Sequence, residues 1–386
     1  MTDPSLYDGR EQTRIKHIIL QKYLERFAHI VGSFCDTLTY VDCFSGPWNV
    51  NSEEFEDSSF HIALAQLRTA QHTLALRGIK IKIRCFFLEE NPAAYAKLKG
   101  YADSIKDAEV VAHNGRLEDL IPKILAFVQE GGRNAFPFFF IDPTGWTGFS
   151  MKTIKPLLSL KRGEVLINFM MNYINRFIEA DNTQESFHEL FGTSDFREKI
   201  QGLEGQERQD AIVLEYSRNV KMVGGFEYVR SAIILHPEKD RSHFNLIYAT
   251  RSAKGVEAFK DAEKAAMKAQ EQTRANAEAK DLATIGQTTL FSESELPYNH
   301  QYYQELRKRY VKMAKSNVMD ELTKCNILPY DTAWEVALAQ PLVWESDLKE
   351  WIKKWQESGQ VDVVGLTGRK RTPKYGQTQG LRLKTR

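Results

Sequence analysis

The sequence predicts an α/β protein with a doubly wound, mostly parallel Rossmann-like sheet, an antiparallel edge hairpin and a C-terminal winged helix-turn-helix domain. Three observations predict it. Strand and helix patterns alternate about four times within roughly the first 140 residues of the core. Four of the strands end on acids, histidine or glycine, as ligand-facing strand tips do. Beyond a turn-rich stretch at 283–299, three helical segments lead into two short strands around a basic loop.

Residues 11–32, EQTRIKHIILQKYLERFAHIVG, set Ile15, Ile18, Ile19, Tyr23, Phe27 and Ile30 on one helical face. TLTYVDCFSG is the first strand, β-branched and then apolar up to Asp42. A helix at 59–78 precedes the strand KIKIRCFFLEENP, and NPAAYAKLKGYADSI starts the next helix directly after it. AEVVAHNG is a short strand, and LEDLIPKILAFVQEGG a helix stopped by glycine. AFPFFFIDPTGW is a buried strand ending on Asp-Pro, followed by the helix MKTIKPLLSLKRG and the strand EVLINFMM. Residues 173–224 read as a helical insertion. FEYVRSAIILHP and RSHFNLIYATRS form the edge hairpin across EKDR. The segment from Lys254 is a long polar helix whose weak apolar face carries Val256, Phe259 and Met267.

The domain boundaries that follow are 1–282 for the Rossmann-like domain, 283–299 for a linker and 300–386 for the winged helix. In the last domain HQYYQELRKRYVKMAK, YDTAWEVALAQ and ESDLKEWIKKWQESG are the helices, and VDVVGLTGRKRTPKYGQTQGLRLKTR holds the two strands.

A formal net charge of +1 over 386 residues gives the whole chain no pull towards nucleic acid or membrane, so any electrostatic preference is local. Cys35, Cys43, Cys85 and Cys325 have no metal-binding spacing and read as free thiols in a reducing cytosol. No apolar run reaches a membrane span, the N-terminus has no signal-peptide pattern, and a cytoplasmic location is expected. No cluster of acids suggests a metal-dependent nuclease, and no metal is expected.

Four strand ends carry the candidate chemistry. In VDCFSGPW, Asp42 either orients the loop or accepts from a charged amine, while Gly46 lets backbone approach a ligand; an ordinary turn is the plain alternative. In FFLEEN, Glu89 suits the two hydroxyls of a ribose, because a carboxylate accepts from both; a solvated strand terminus is the plain alternative. In HNGRLED, His113 is more readily structural than ligating. In FPFFFIDPTGW, Asp142 can accept from a substrate amine, Pro143 fixes the turn and Trp146 can stack on a base; helix capping is the alternative for Asp142. Residues 361–386 hold seven Lys or Arg, among them Arg369, Lys370, Arg371 and Lys374, against the single acid Asp362. Such a wing suits phosphate contacts, which position a protein on nucleic acid without reading its sequence; a solvated tail or a surface for protein contacts is the alternative.

Taken in order, YVDCFSGP, FFLEENP, FFFIDPTGWTGF, GEVLINF and HFNLIYATRSAKGVEAFKDA resemble the three-Cys-motif partner (TcmP) proteins, and the resemblance spans nearly the whole chain. It implies a sheet of the S-adenosylmethionine-dependent methyltransferase type. By the same resemblance Asp42, Phe44, Gly46 and Glu89 bind S-adenosylmethionine, and Asp142, Pro143 and Trp146 form the catalytic loop. The family's amino-methyltransferase pattern Asp-Pro-Pro-aromatic stands here as Asp142-Pro143-Thr144-Gly145, with the ring one position later at Trp146. The resemblance further implies nucleic acid and a radical-SAM-like three-Cys-motif protein as partners. Two functions are compatible with it: a methyltransferase acting on or with nucleic acid, or a non-catalytic nucleic-acid-binding adaptor.

Overall fold

The computed structural model describes residues 3–46, 50–284, 301–366 and 372–384. The chain divides into two compact units, Met1–Val229 with Ile233–Thr273, and Arg274–Arg386 with Arg230–Ala232.

The first unit is built on a seven-stranded sheet. Its strands are β1 (Thr37–Asp42), β2 (Lys82–Glu89), β3 (Glu109–Asn114), β4 (Ala135–Ile141), β5 (Glu164–Phe169), β6 (Tyr228–Leu235) and β7 (Ser242–Thr250), in the order β3-β2-β1-β4-β5-β7-β6. The pairs β1–β2, β2–β3, β1–β4 and β4–β5 are parallel, and β7 runs antiparallel to β5. Only six residues join β6 to β7, which permits a hairpin and no crossover. From β1 the chain winds outward through β2 and β3, then returns to the other side of β1 as β4. The crevice outside the carboxyl ends of β1 and β4 is therefore the topological switch point.

Register follows from the two-residue period of the strands. Asp42 lies level with Phe87 on β2 and Phe140 on β4, so Glu89 and position 142 stand two residues further out on the same face. The helices α1 (Glu11–Gly32) and α2 (Ser59–Ala75) cover that face. Tyr23 and Phe27 of α1 pack on Phe138, with centroids 5.5 and 5.4 Å away, and Phe60 of α2 packs on Phe87 at 5.6 Å. Behind β2 follows α3 (Pro92–Ser104), capped by Asn91, whose side chain accepts from the N–H groups of Ala93 and Ala94.

The opposite face carries α4 (Leu117–Glu130) and α5 (Met151–Leu158), which join Val41, Phe86, Phe139, Ile141, Val165 and Ile167 in one apolar core. The helical insertion begins at Met171, two residues ahead of its sequence boundary. It comprises α6 (Met171–Phe177), α7 (Gln184–Phe191), α8 (Phe196–Ile200) and α9 (Gly205–Gly224), and joins the same core through Ile174, Phe187, Phe191 and Tyr216. Pro137 is tolerated in β4 because β5 begins to pair only at Phe138.

The long helix α10 (Ala253–Thr284) is better anchored than its sequence suggests. Val256, Phe259 and Met267 are buried as expected, and Ala258, Ala262 and Ala266 are buried with them. So are Lys260 and Glu263, which pair at 2.5 Å, and Gln270, which accepts from the Leu235 N–H at 2.8 Å. Because α10 runs through Thr284, the stretch read as a linker starts inside a helix; residues 285–300 lie outside the described residues.

The second unit contains α11 (Gln301–Thr323), α12 (Tyr330–Leu338) and α13 (Glu345–Glu357), with a small sheet ordered β8-β10-β9. Its strands are β8 (Leu328–Pro329), β9 (Val361–Val364) and β10 (Gly380–Leu383), paired antiparallel. Tyr310, Trp334, Leu348, Ile352, Trp355 and Leu381 form its core. Among the described residues no helix is long and apolar enough to cross a membrane. All four cysteines are free, and only Cys325 is exposed.

Candidate active site

A cavity of about 780 Å³ opens at the switch point. Phe44, Gly46, Glu89, Asp142 and Pro143 all line it, so the tips of β1, β2 and β4 meet as their register requires.

Asp42 does not line the cavity. It is fully buried beneath it, and its carboxylate accepts from Ser59 at 2.6 Å, from the Phe44 N–H at 3.2 Å and from Tyr40 at 3.2 Å. Ser45 fastens the same turn to β2: its N–H donates to Leu88 O at 2.7 Å, and its hydroxyl donates to Asp42 O at 2.9 Å. Of the two roles weighed for Asp42, orienting the loop is the one its contacts serve.

Burial, and after it the charge of Asp142, lifts the Asp42 carboxyl to about 6, against the hydrogen bonds from Ser59, Phe44 and Tyr40. A carboxyl whose folded value is raised contributes stability fully below its unfolded value, about 4, and loses it as pH rises through about 6. Asp42→Asn removes that titration. Relative to wild type, the variant is therefore expected to gain on the order of 2–3 kcal/mol between pH 4 and pH 7, measured by urea unfolding. An equal difference at both pH values would exclude an Asp42 proton from this window.

Glu89 is almost wholly buried, and its Oε1 accepts from the Asn91 N–H at 2.6 Å, which ties it to the start of α3. Asn114 of β3 supports the tip by donating to Glu89 O and Glu90 O at 2.8 and 2.9 Å. His113 instead stacks on Phe86 at 4.7 Å and does not line the cavity. Arg116 lines the rim and pairs with Glu118.

Both carboxylate oxygens of Asp142 are engaged by the chain itself. Lys16 of α1 pairs with its Oδ2 at 2.5 Å, and Asn168, at the end of β5, donates to its Oδ1 at 2.7 Å. The Lys16 ammonium also lies 5.5 Å from the Phe244 ring centroid. The Asn168 Oδ1 is buried without a hydrogen-bond partner. His243 of β7 lines the same cavity, and burial, followed by His236, Arg241 and Lys16, holds its pKa down at about 4, so the imidazole is neutral near pH 7.

Lys16, Asn168 and His243 were not singled out in the sequence. Lys16 did carry a signal, since it shares a helical stripe with Leu20, Tyr23 and Phe27, all buried. A cation in such a stripe requires a partner. Asn168 and His243 gave none, because only the β5–β7 pairing brings their strands together.

Trp146 faces away from the cavity. Its ring stacks on Phe187 at 5.4 Å, lies 5.1 Å from Phe177, and its indole N–H donates to Ser186 at 3.0 Å. The ring thus fixes the loop to α7, whereas Tyr173 of α6 lines the cavity and is exposed. In the second unit Lys374 is exposed, whereas Arg369, Lys370 and Arg371 lie outside the described residues.

No family model matches the chain, and no curated protein matches it in sequence. Solved structures similar to it include a Legionella pneumophila protein of family DUF519, at 12% identity and a TM-score of 0.34, covering 61% of this chain and 84% of that one. Another is an O-methyltransferase from Bacillus cereus in complex with SAH, at 12% identity and a TM-score of 0.30, covering 60% and 80%. A DUF574 protein from Streptomyces avermitilis follows at 9% identity and a TM-score of 0.33, covering 62% and 83%. With scores this low, the functional reading rests on the site itself.

Proposed function

We propose that the chain is a three-Cys-motif partner protein that binds S-adenosylmethionine and methylates an amine of a nucleic-acid substrate. The observation that carries this reading is the shared cavity: Glu89, Phe44, Gly46 and Asp142 line one space at the switch point of a Rossmann-like sheet. Its volume of about 780 Å³ suits a cofactor and part of a substrate together.

The residues present fit the cofactor. Glu89 is held at the tip of β2 as an acceptor for vicinal hydroxyls, Phe44 offers an apolar face, and the turn at Gly46 brings backbone to the cavity. When bound, S-adenosylmethionine supplies an electrophilic methyl group. The chain's own part is positioning. Asp142 accepts a hydrogen bond from the target amine and aims its lone pair, while Asn168 keeps the carboxylate oriented. For the amine to reach Asp142, Lys16 must yield some of its hold on Oδ2. Tyr173, rather than Trp146, is placed to stack on a base, which has to be flipped out if it comes from a duplex.

The proposed organisation has a Rossmann-like domain over 1–282 and a winged helix-turn-helix over 300–386. The three helices and small antiparallel sheet of the second unit support this reading. Its basic wing would contact phosphate, and a radical-SAM-like three-Cys-motif protein would be the protein partner.

Calorimetric titration of S-adenosylmethionine tests the reading. Wild type is expected to release heat on binding, and Glu89→Ala to weaken binding at least about tenfold, as loss of a charged acceptor does. No heat from wild type sinks the proposal, and an unchanged Glu89→Ala isotherm moves the cofactor elsewhere. One observation favours a second reading, a non-catalytic adaptor: both Asp142 oxygens are engaged by the chain itself and Trp146 is packed elsewhere. Cofactor binding without methyl transfer to any nucleic acid in single-turnover assays would select it.

A further inference from the structure

A second cavity, of about 320 Å³, adjoins the first: Asn172 and Tyr173 line both. Arg176, Arg241, Ser242, Gln209 and Asn175 complete its polar lining, and no acid belongs to it. Neither guanidinium has a carboxylate partner among the described residues. Arg176 lies over the Phe177 ring at 5.1 Å, an arrangement that leaves the edge N–H groups of its fork available.

The second observation is independent of charge. Ser242 is only 3% exposed, and its hydroxyl has no hydrogen-bond partner. A buried hydroxyl left alone is costly, so its place in the wall of a cationic cavity signals a ligand that completes it. The ligand must be anionic and must offer several acceptor oxygens: two guanidinium forks, a hydroxyl and amide N–H groups all need one. Phosphate meets that requirement; a carboxylate, with two oxygens, does not serve all of them.

We infer that this cavity is a phosphate subsite, and that it receives a backbone phosphate of the nucleic-acid strand whose base reaches Asp142. The inference rests on the proposed substrate class and specifies how the core itself holds that substrate. Arg176, Arg241 and Asn175 are exposed, which leaves the subsite open to a continuing strand.

The test uses a short mixed-sequence DNA single strand, titrated by fluorescence anisotropy between about 50 and about 200 mM salt. In Arg176→Gln/Arg241→Gln the slope of log affinity against log salt is expected to flatten by about 0.7, the share of the one phosphate that the two arginines neutralise together. Both arginines are exposed, so the variant retains its packing. Ser242→Ala keeps the charges and is expected to weaken strand binding several-fold with the slope unchanged. Inorganic phosphate is expected to compete with the strand on wild type and to lose that competition on the double variant. A slope that does not move overturns the inference, as does phosphate that binds through these arginines while strand binding ignores them. S-adenosylmethionine titrations on the same proteins keep the two claims apart. Silent wild type refutes the cofactor reading, while the salt slope still decides the subsite.

Discussion

Asp142→Ala is expected to lower the proposed methyl transfer by about 10²–10⁴-fold and to destabilise the first unit by about 3 kcal/mol. Two separate causes act at one carboxylate. The lost rate is that of a positioned acceptor for the target amine. The lost stability comes from Lys16, whose side chain is only 8% exposed and keeps no carboxylate once Asp142 is gone. The Phe244 ring offsets little of that charge, and the Asn168 amide keeps only the weak sulfur acceptor of Met170. Lys16→Met in the same background is expected to restore most of the stability and none of the transfer. Urea unfolding of the two single variants and the double variant reads the coupling directly. Additive stabilities would refute the pairing, and transfer that survives Asp142→Ala would remove the carboxylate from the chemistry.

The other large effect lies two rungs below, in the phenylalanine run. Phe138→Ala is expected to cost about 3–5 kcal/mol. Its ring is fully buried between Tyr40, parallel within 10° at 6.1 Å, and Tyr23, at 5.5 Å. Removing it opens a void directly under α1. Phe136→Ala, at a half-buried position of the same face, is the control and is expected to cost about 1 kcal/mol. Equal costs at the two positions would show that Phe138 is not enclosed by Tyr40 and Tyr23 as described.

The core strands were legible because they are short, largely apolar runs ending on a polar tip, and after β2 and β3 a helix starts within three residues. The 22 residues of α1 coincide with their sequence pattern for a related reason: the apolar stripe and the chain break at Gly32-Ser33 agree. α11 was cut short. The polar run Lys315-Ser316-Asn317 reads as an end, yet Val318 and Leu322 continue the buried stripe to Thr323. A two-residue strand such as β8 exists only through its partner β10 and leaves no pattern of its own.

The site divides in the same way. Glu89 and Asp142 were visible as acids at strand tips, and parallel register was enough to set them on one face. Asp42 shared that appearance but sits one rung lower, where burial turns it into a fastening for the loop. Trp146 was counted as a base-stacking ring because it follows Asp-Pro, yet one extra residue in the turn is accompanied by a ring aimed at Phe187. Asn168 and His243 lie on strands whose adjacency is set by the sheet order, which local spacing does not encode.

The placing of Lys16 on α1 makes the reach of its ammonium a matter of rotational phase. The same helix inserts Tyr23 and Phe27 into the sheet seven and eleven residues later, which clamps its angle about its own axis. One alanine inserted between Leu20 and Tyr23 would turn everything upstream by about 100° while leaving the clamp in place. Lys16 would then point along the sheet's rim instead of at Asp142, and a site intact in every atom would have lost its counter-charge through a change of winding alone.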